Sequence, residues 1–172
     1  METSPLNGKE ILAVDDEDDV LQVLEESLSG YGAKLDSATS FEEARQKMNS
    51  LTYDLVVLDI MGVRGFDLLQ LAVAKNLPVI MLTAHAATPN AIKKSIELGA
   101  RAYLLKDELA DVPTFLEDVL QLSYQAVWKK SLETTDDAFG KKFGPEWRIS
   151  EKEFWQKLDK DLKLEKSVII TE

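Results

Sequence analysis

Four short apolar runs, each closed at its C-terminal end by a polar group, constrain this chain more than any other feature. Ile11-Leu12-Ala13-Val14 is followed by Asp15-Asp16, Leu55-Val56-Val57-Leu58 by Asp59, Val79-Ile80-Met81-Leu82 by Thr83, and Tyr103-Leu104-Leu105 by Lys106. Runs of this length between turn residues predict strands buried on both faces. Amphipathic stretches at helical spacing separate them, and that alternation predicts a parallel sheet wrapped by helices on both sides. Open sheets of this class gather ligands outside the carboxyl ends of their strands. Three carboxylates, a hydroxyl and an ammonium are therefore expected on one rim.

The helical stretches carry their own punctuation. Val20, Leu21, Val23, Leu24, Ser27 and Leu28 form a stripe that Gly30 and Gly32 break. The polar run Ala33-Lys34-Leu35-Asp36-Ser37-Ala38 suits an edge strand. Ser40-Phe41-Glu42-Glu43 is a capping-box pattern opening a helix through Ala44 and Met48. Gly62-Val63-Arg64-Gly65 reads as a loop before a helix over 66–74, and Pro78 introduces the fourth strand. Thr88-Pro89 fits an N-cap with proline at the first helical position, opening a helix with Ile92 and Ile96 on one face and Gly99 at its end. A fifth helix is expected from Val112-Pro113, with Phe115, Leu116, Val119, Leu120 and Val127 in one stripe. The result is five strand–helix units over 1–125, followed by a different segment over 126–172.

Charge separates the two segments. The net charge is −11, and all of it lies in residues 1–125, where 10 Lys and Arg face 21 Asp and Glu. Such a body repels polyphosphate backbones, so no direct nucleic-acid binding is expected. No cysteine and a single histidine, His85, exclude thiolate and multi-histidine metal sites. No run approaches the roughly 18 apolar residues of a membrane span, and the N-terminus has neither basic region nor apolar core. A cytoplasmic protein without membrane contact is expected.

Phosphoryl transfer to a carboxylate needs an accessible nucleophile, a hard divalent cation and fixed donors for the developing charge. Mg2+ prefers oxygen ligands and keeps several waters, so two or three carboxylates and a carbonyl suffice. In this order, with "ILAVDDE", "DLVVLDIM", "VIMLTA" and "SIELGARAYLLK" at the strand ends, the residues strongly resemble the response-regulator receiver domain of two-component signalling. The resemblance covers roughly residues 8–125 and implies a doubly wound, flavodoxin-like sheet of order 2-1-3-4-5. It implies that Asp59 is the phosphoacceptor. Asp16 would bind Mg2+ directly, Asp15 largely through water, with Asp59 and the Met61 backbone carbonyl completing the set. Thr83 would hydrogen-bond the phosphoryl group, Ala84 would leave room for that movement, and Lys106 would pair with the phosphate. Tyr103 matches an aromatic switch, on an output face made of the fourth helix, fifth strand and fifth helix. The implied phosphodonor is a sensor histidine kinase or a histidine phosphotransfer protein, and signalling would proceed by contacts with an effector.

Two departures from the family pattern stand beside the site. The loop after Asp59 reaches Gly65 about two residues early and lacks the usual proline, and Asp107 replaces the proline that ordinarily follows the lysine. A cis bond there without proline costs about 2.5–4 kcal/mol, so a trans or strained bond is expected. Arg64 reads as a surface arginine and His85 as a solvated loop residue. These departures keep a second reading open, an unphosphorylated pseudo-receiver serving as a protein-binding module. A phosphohydrolase is a poor reading, because Ile60 and Met61 stand where a second acid would be needed. The chain is therefore not expected to be an enzyme beyond assisting its own modification and slow dephosphorylation.

Residues 126–172 hold all three tryptophans, Trp128, Trp147 and Trp155. Thr134-Thr135-Asp136-Asp137 and residues 140–145 read as turns. Ser150-Glu151-Lys152-Glu153 is a second capping-box pattern, opening a helix over about 151–164 with Phe154, Trp155, Leu158 and Leu162 on one face. Some 45 residues bury little core alone. This helix is expected to fold back on the main domain or to pair two chains as a homodimer, and truncation after Val127 to leave a folded domain.

Overall fold

Pattern and structure agree on the order of the elements. A computed structural model of the chain describes residues 3–84, 88–144, 146–147 and 152–171, the side chains at 108, 110, 134, 137 and 162–171 excepted. Strands β1 (Glu10–Val14), β2 (Lys34–Ala38), β3 (Leu55–Asp59), β4 (Val79–Thr83) and β5 (Ala102–Leu105) form one sheet in the order β2-β1-β3-β4-β5. Every neighbouring pair is parallel. Helices α1 (Asp18–Leu28), α2 (Phe41–Ser50), α3 (Gly65–Ala74) and α4 (Pro89–Glu97) make the four crossovers, and α5 (Val112–Gln121) follows the last strand.

The period-2 alternation of strand side chains divides the core into two layers. Ile11, Ala13, Leu55, Val57, Ile80, Leu82, Ala102 and Leu104 pack against α1 and α5. Leu12, Val14, Val56, Leu58, Met81 and Tyr103 face the opposite way, against α2, α3 and α4. Local signals act as their chemistry dictates. Ser40 Oγ accepts from Glu43 N at 3.2 Å, and Thr88 Oγ1 from Ala91 N at 3.1 Å. Edge strand β2 is the least apolar, and its Asp36 accepts from Tyr53 Oη at 2.6 Å and from Lys47 Nζ at 2.8 Å.

The region after 121 differs from its sequence reading. The fifth helix does not continue through Val127. It ends at Gln121, and Ser123 caps a new 20-residue helix α6 (Tyr124–Phe143) by accepting from Ala126 N at 3.2 Å. Thr134-Thr135-Asp136-Asp137, turn-like by composition, lies inside α6. Thr135 Oγ1 satisfies itself on the Ser131 carbonyl at 2.7 Å, which removes the turn alternative. Val127 belongs to one core layer and Trp128, Leu132 and Phe139 to the other, so α6 straddles the free edge of β5. An uncovered edge strand is open to pairing with other chains, and α6 covers this one.

Helix α7 (Lys152–Thr171) follows. Trp155 and Leu158 are buried in the same layer as Trp147 and Phe139, with the rings of Phe139, Trp147 and Trp155 edge to face in sequence. Phe154 is half-buried, with the Lys93 ammonium of α4 5.3 Å from its ring centroid. The capping residues Ser150 and Glu151 and the Leu162 side chain lie outside the described residues. Among the described residues, no helix is long and apolar enough to cross a membrane.

Candidate functional site

The parallel register, with Val14 opposite Leu58, Asp59 opposite Leu82 and Thr83 opposite Leu105, brings the ends of β1, β3, β4 and β5 to the same rim of the sheet. Asp59 is the last residue of β3 and Thr83 the last of β4, while Asp15 and Lys106 directly follow β1 and β5. The carboxylates and the ammonium converge as the sequence predicts. Lys106 Nζ lies 2.9 Å from Asp15 Oδ2, 3.4 Å from Asp59 Oδ1 and 3.7 Å from Glu17 Oε1. Asp15 is 1% exposed, with its Oδ1 accepting from Glu17 N at 2.9 Å, and Asp16 is open to solvent.

Crowding of acids sets the electrostatics. Burial, and then the neighbouring Asp15 charge, push the Asp59 carboxyl up to about 6 against the pull of Lys106. Burial likewise raises Asp15, with Lys106 opposing. Burial works against the charge of Lys106, but Asp15, Asp59 and Glu17 outweigh it and hold the ammonium above its ordinary value. Four acids against one lysine leave a net negative rim that a divalent cation would neutralise.

The donor set fits a hard cation. Carboxylate oxygens of Asp15, Asp16 and Glu17 lie within 4.8 Å of one another, an all-oxygen group of the kind Mg2+ takes. Glu17 is the addition the sequence reading missed, although it follows directly on Asp15-Asp16. Asp59 stands beside this group through their shared partner Lys106 rather than inside it. The Met61 side chain is 60% exposed and points away from the core.

The shortened loop after Asp59 has a definite shape. Ile60 and Val63 are buried, and Gly65 N donates to the Ile60 carbonyl at 3.1 Å. Gly65 opens α3 flat against the Asp59 carbonyl, where a β-carbon would collide with main chain. Gly62 takes φ 87° and lies against the Asp16 carboxylate. Arg64 turns outward, pairing with Asp67 at 2.9 Å and placing its guanidinium 4.0 Å from the Phe41 ring centroid. Gly62→Ala is expected to push Asp16 off its position and to lower Mg2+ affinity about tenfold, measured by calorimetric titration. Unchanged affinity would show that Asp16 is placed independently of the loop.

On the other side of Lys106 the peptide to Asp107 is trans, and the chain enters a 3-10 turn, Lys106–Asp111, with Asp107 exposed. Thr83 is buried at the end of β4, and Ala84, half-buried, follows in a bend. Tyr103 is 1% exposed, and burial drives its phenol well above the usual range, an effect that Thr83 partly offsets. Its Oη closes no hydrogen bond among the described residues. His85 lies outside them.

A parallel sheet of this order, with acids and a lysine on its carboxyl rim, is matched by a known family. The model for the response regulator receiver domain fits residues 11–114, and the chain belongs to that family. The two-component response regulator ARR10 of Arabidopsis thaliana is 32% identical over 130 residues, 73% of this chain and 22% of that protein. The probable transcriptional regulator ycf27 of Cyanophora paradoxa is 38% identical over 104 residues, 59% of this chain and 43% of that protein. The chain thus spans less than half the length of either relative. A putative response regulator from Chloroflexus aurantiacus superposes with a TM-score of 0.57 at 31% identity, over 66% of this chain and 98% of that one. Membership places the chain in phosphorelay signalling.

Proposed function

We propose that this chain receives a phosphoryl group on Asp59 from a phosphohistidine of a sensor kinase or phosphotransfer protein and signals by protein contacts. The observation that carries this is the Lys106 ammonium shared between Asp15 and Asp59 at 2.9 and 3.4 Å on the strand-end rim. A carboxylate oxygen of Asp59 attacks the phosphorus, and the donor's nitrogen or acyl oxygen leaves with its electron pair. Lys106, already ion-paired with Asp59, follows the added charge to the phosphoryl oxygens. Thr83 supplies a hydroxyl donor to the same group. Mg2+ would be held by the Asp15, Asp16 and Glu17 carboxylates, with Asp59 and the Met61 carbonyl as further ligands, and would neutralise phosphoryl charge during transfer. The protein is thus a substrate that assists its own modification rather than an enzyme acting on others.

Incubation with acetyl phosphate and Mg2+, read by intact-mass spectrometry, tests the reading. A phosphoryl adduct is expected on the native chain and none on Asp59→Ala. An adduct that survives the substitution, or none on either protein, would overturn it. The second outcome would favour a pseudo-receiver.

A further inference from the structure

Helix α6 lies outside the matched receiver region, 11–114, yet it contributes Trp128, a fully buried side chain among the largest in the core. The indole Nε1 donates to the Ala100 carbonyl at 2.9 Å, clamping α6 to the turn that leads into β5. Trp128, Leu132 and Tyr103 share one apolar layer, which joins the helix to the tyrosine. A cavity of about 230 Å3 opens between β5, α5 and α6, lined by Tyr103, Leu104, Phe115 and Ser131 among others. Tyr103 thus borders this cavity while staying 1% exposed. Its hydroxyl is buried and without a hydrogen bond, and Thr83, at the site rim, is the polar group that bears on it.

A buried hydroxyl without a partner is unfavourable, and whatever completes its hydrogen bond stabilises the inward ring. If the Thr83 hydroxyl donates to a phosphoryl group on Asp59, its oxygen lone pairs remain free to accept from Tyr103 Oη. That bond exists only while the ring stays inward, and the packing of α6 keeps it there. We propose that α6 is a resident intramolecular ligand of the β5 face, coupled through Tyr103 to the Asp59 site. Its docking and the loading of Asp59 reinforce each other. Reciprocity follows from linkage: a group that strengthens site loading is itself held more tightly once the site is loaded. An outside partner for this face competes with α6. The inference rests on the reading of Asp59 as phosphoryl acceptor.

The test uses the full chain with Mg2+ and beryllofluoride. Fluorine NMR reports occupancy of Asp59, with Asp59→Ala as the blank, and hydrogen exchange reports protection over 124–143. Occupancy is expected to raise protection of α6. Tyr103→Phe, which keeps the ring and loses the hydroxyl, is expected to abolish that rise. Trp128→Phe, which keeps most of the burial and loses the Ala100 bond, is expected to weaken beryllofluoride binding about tenfold, within the usual range of such couplings. Bound fluoride with unchanged or reduced α6 protection would overturn the coupling and leave the site reading standing. No bound fluoride on the native chain would overturn both.

Discussion

Replacing Trp128 with alanine is expected to lower the stability of the whole domain by about 3–5 kcal/mol, the range for truncating a buried tryptophan. Three effects add. The indole is 0% exposed, so its removal forfeits apolar burial and leaves a cavity in the layer it shares with Leu132 and Tyr103. The Ala100 carbonyl loses its donor in a buried setting, and a stranded acceptor is penalised by about 1–3 kcal/mol. The edge of β5 also loses the helix that shields it. Urea unfolding followed by far-UV circular dichroism checks this, because helix content reports both the receiver and α6. Trp128→Phe should lose far less. A loss below about 1 kcal/mol for the alanine variant would mean that α6 is undocked in solution. The same geometry revises the expectation for truncation after Val127. Such a cut strips Trp128, Leu132 and Phe139 from the apolar layer that holds Tyr103, so the remaining domain should be markedly less stable than the full chain.

The two ends of the chain differ in how openly the sequence speaks. In the first 125 residues, apolar runs of fixed length, capping residues at Ser40 and Thr88, and polar groups at strand ends all favour the same arrangement. Asp59, Asp15, Thr83 and Lys106 are accordingly legible in the sequence as one rim. Helix α6 was hidden by chemistry, because two of its inward positions are Ser131 and Thr135. Both are 2% exposed, and both read as polar in any hydropathy pattern. With them counted, positions 128, 131, 132, 135 and 139 form a continuous helical stripe. The break at Leu122-Ser123 was equally faint, a serine cap with no proline or glycine beside it. Glu17 was hidden differently. Nothing in the sequence separates it from Asp18 and Asp19, and only the backbone turn at Asp15 brings its carboxylate to Lys106. The loop over 60–64 depends on positive φ at Gly62 and Arg64, and no residue preference specifies that for an arginine.

Asp59→Asn should make the metal-free protein more stable at pH 8, even though it removes the phosphoryl acceptor. In the folded chain the carboxyl is held at about 6 against an ordinary 3.8, burial being the larger cause and the Asp15 charge the second. A folded state that binds the proton more tightly than the unfolded chain is favoured while that proton is bound. Stability from this group is therefore fully present below about pH 4. It falls as pH rises from there through 6, and then stays low. The window corresponds to roughly 3 kcal/mol at most, and to less where the site relaxes. Asp15, raised in the same direction, adds to the slope. Lys106 does not, because its raised value acts only at alkaline pH. Asparagine keeps the shape and discards the charge, so a gain of about 1–3 kcal/mol at pH 8 and little at pH 4 is expected. Saturating Mg2+ should shrink or reverse that gain, because the ion stabilises the crowded acids of the native rim and not their isosteric variant. Thermal unfolding of both proteins at the two pH values, with and without Mg2+, decides the matter. An equal gain at pH 4 and pH 8 would show that packing rather than charge is responsible, and no gain at pH 8 would show that Lys106 already balances the site.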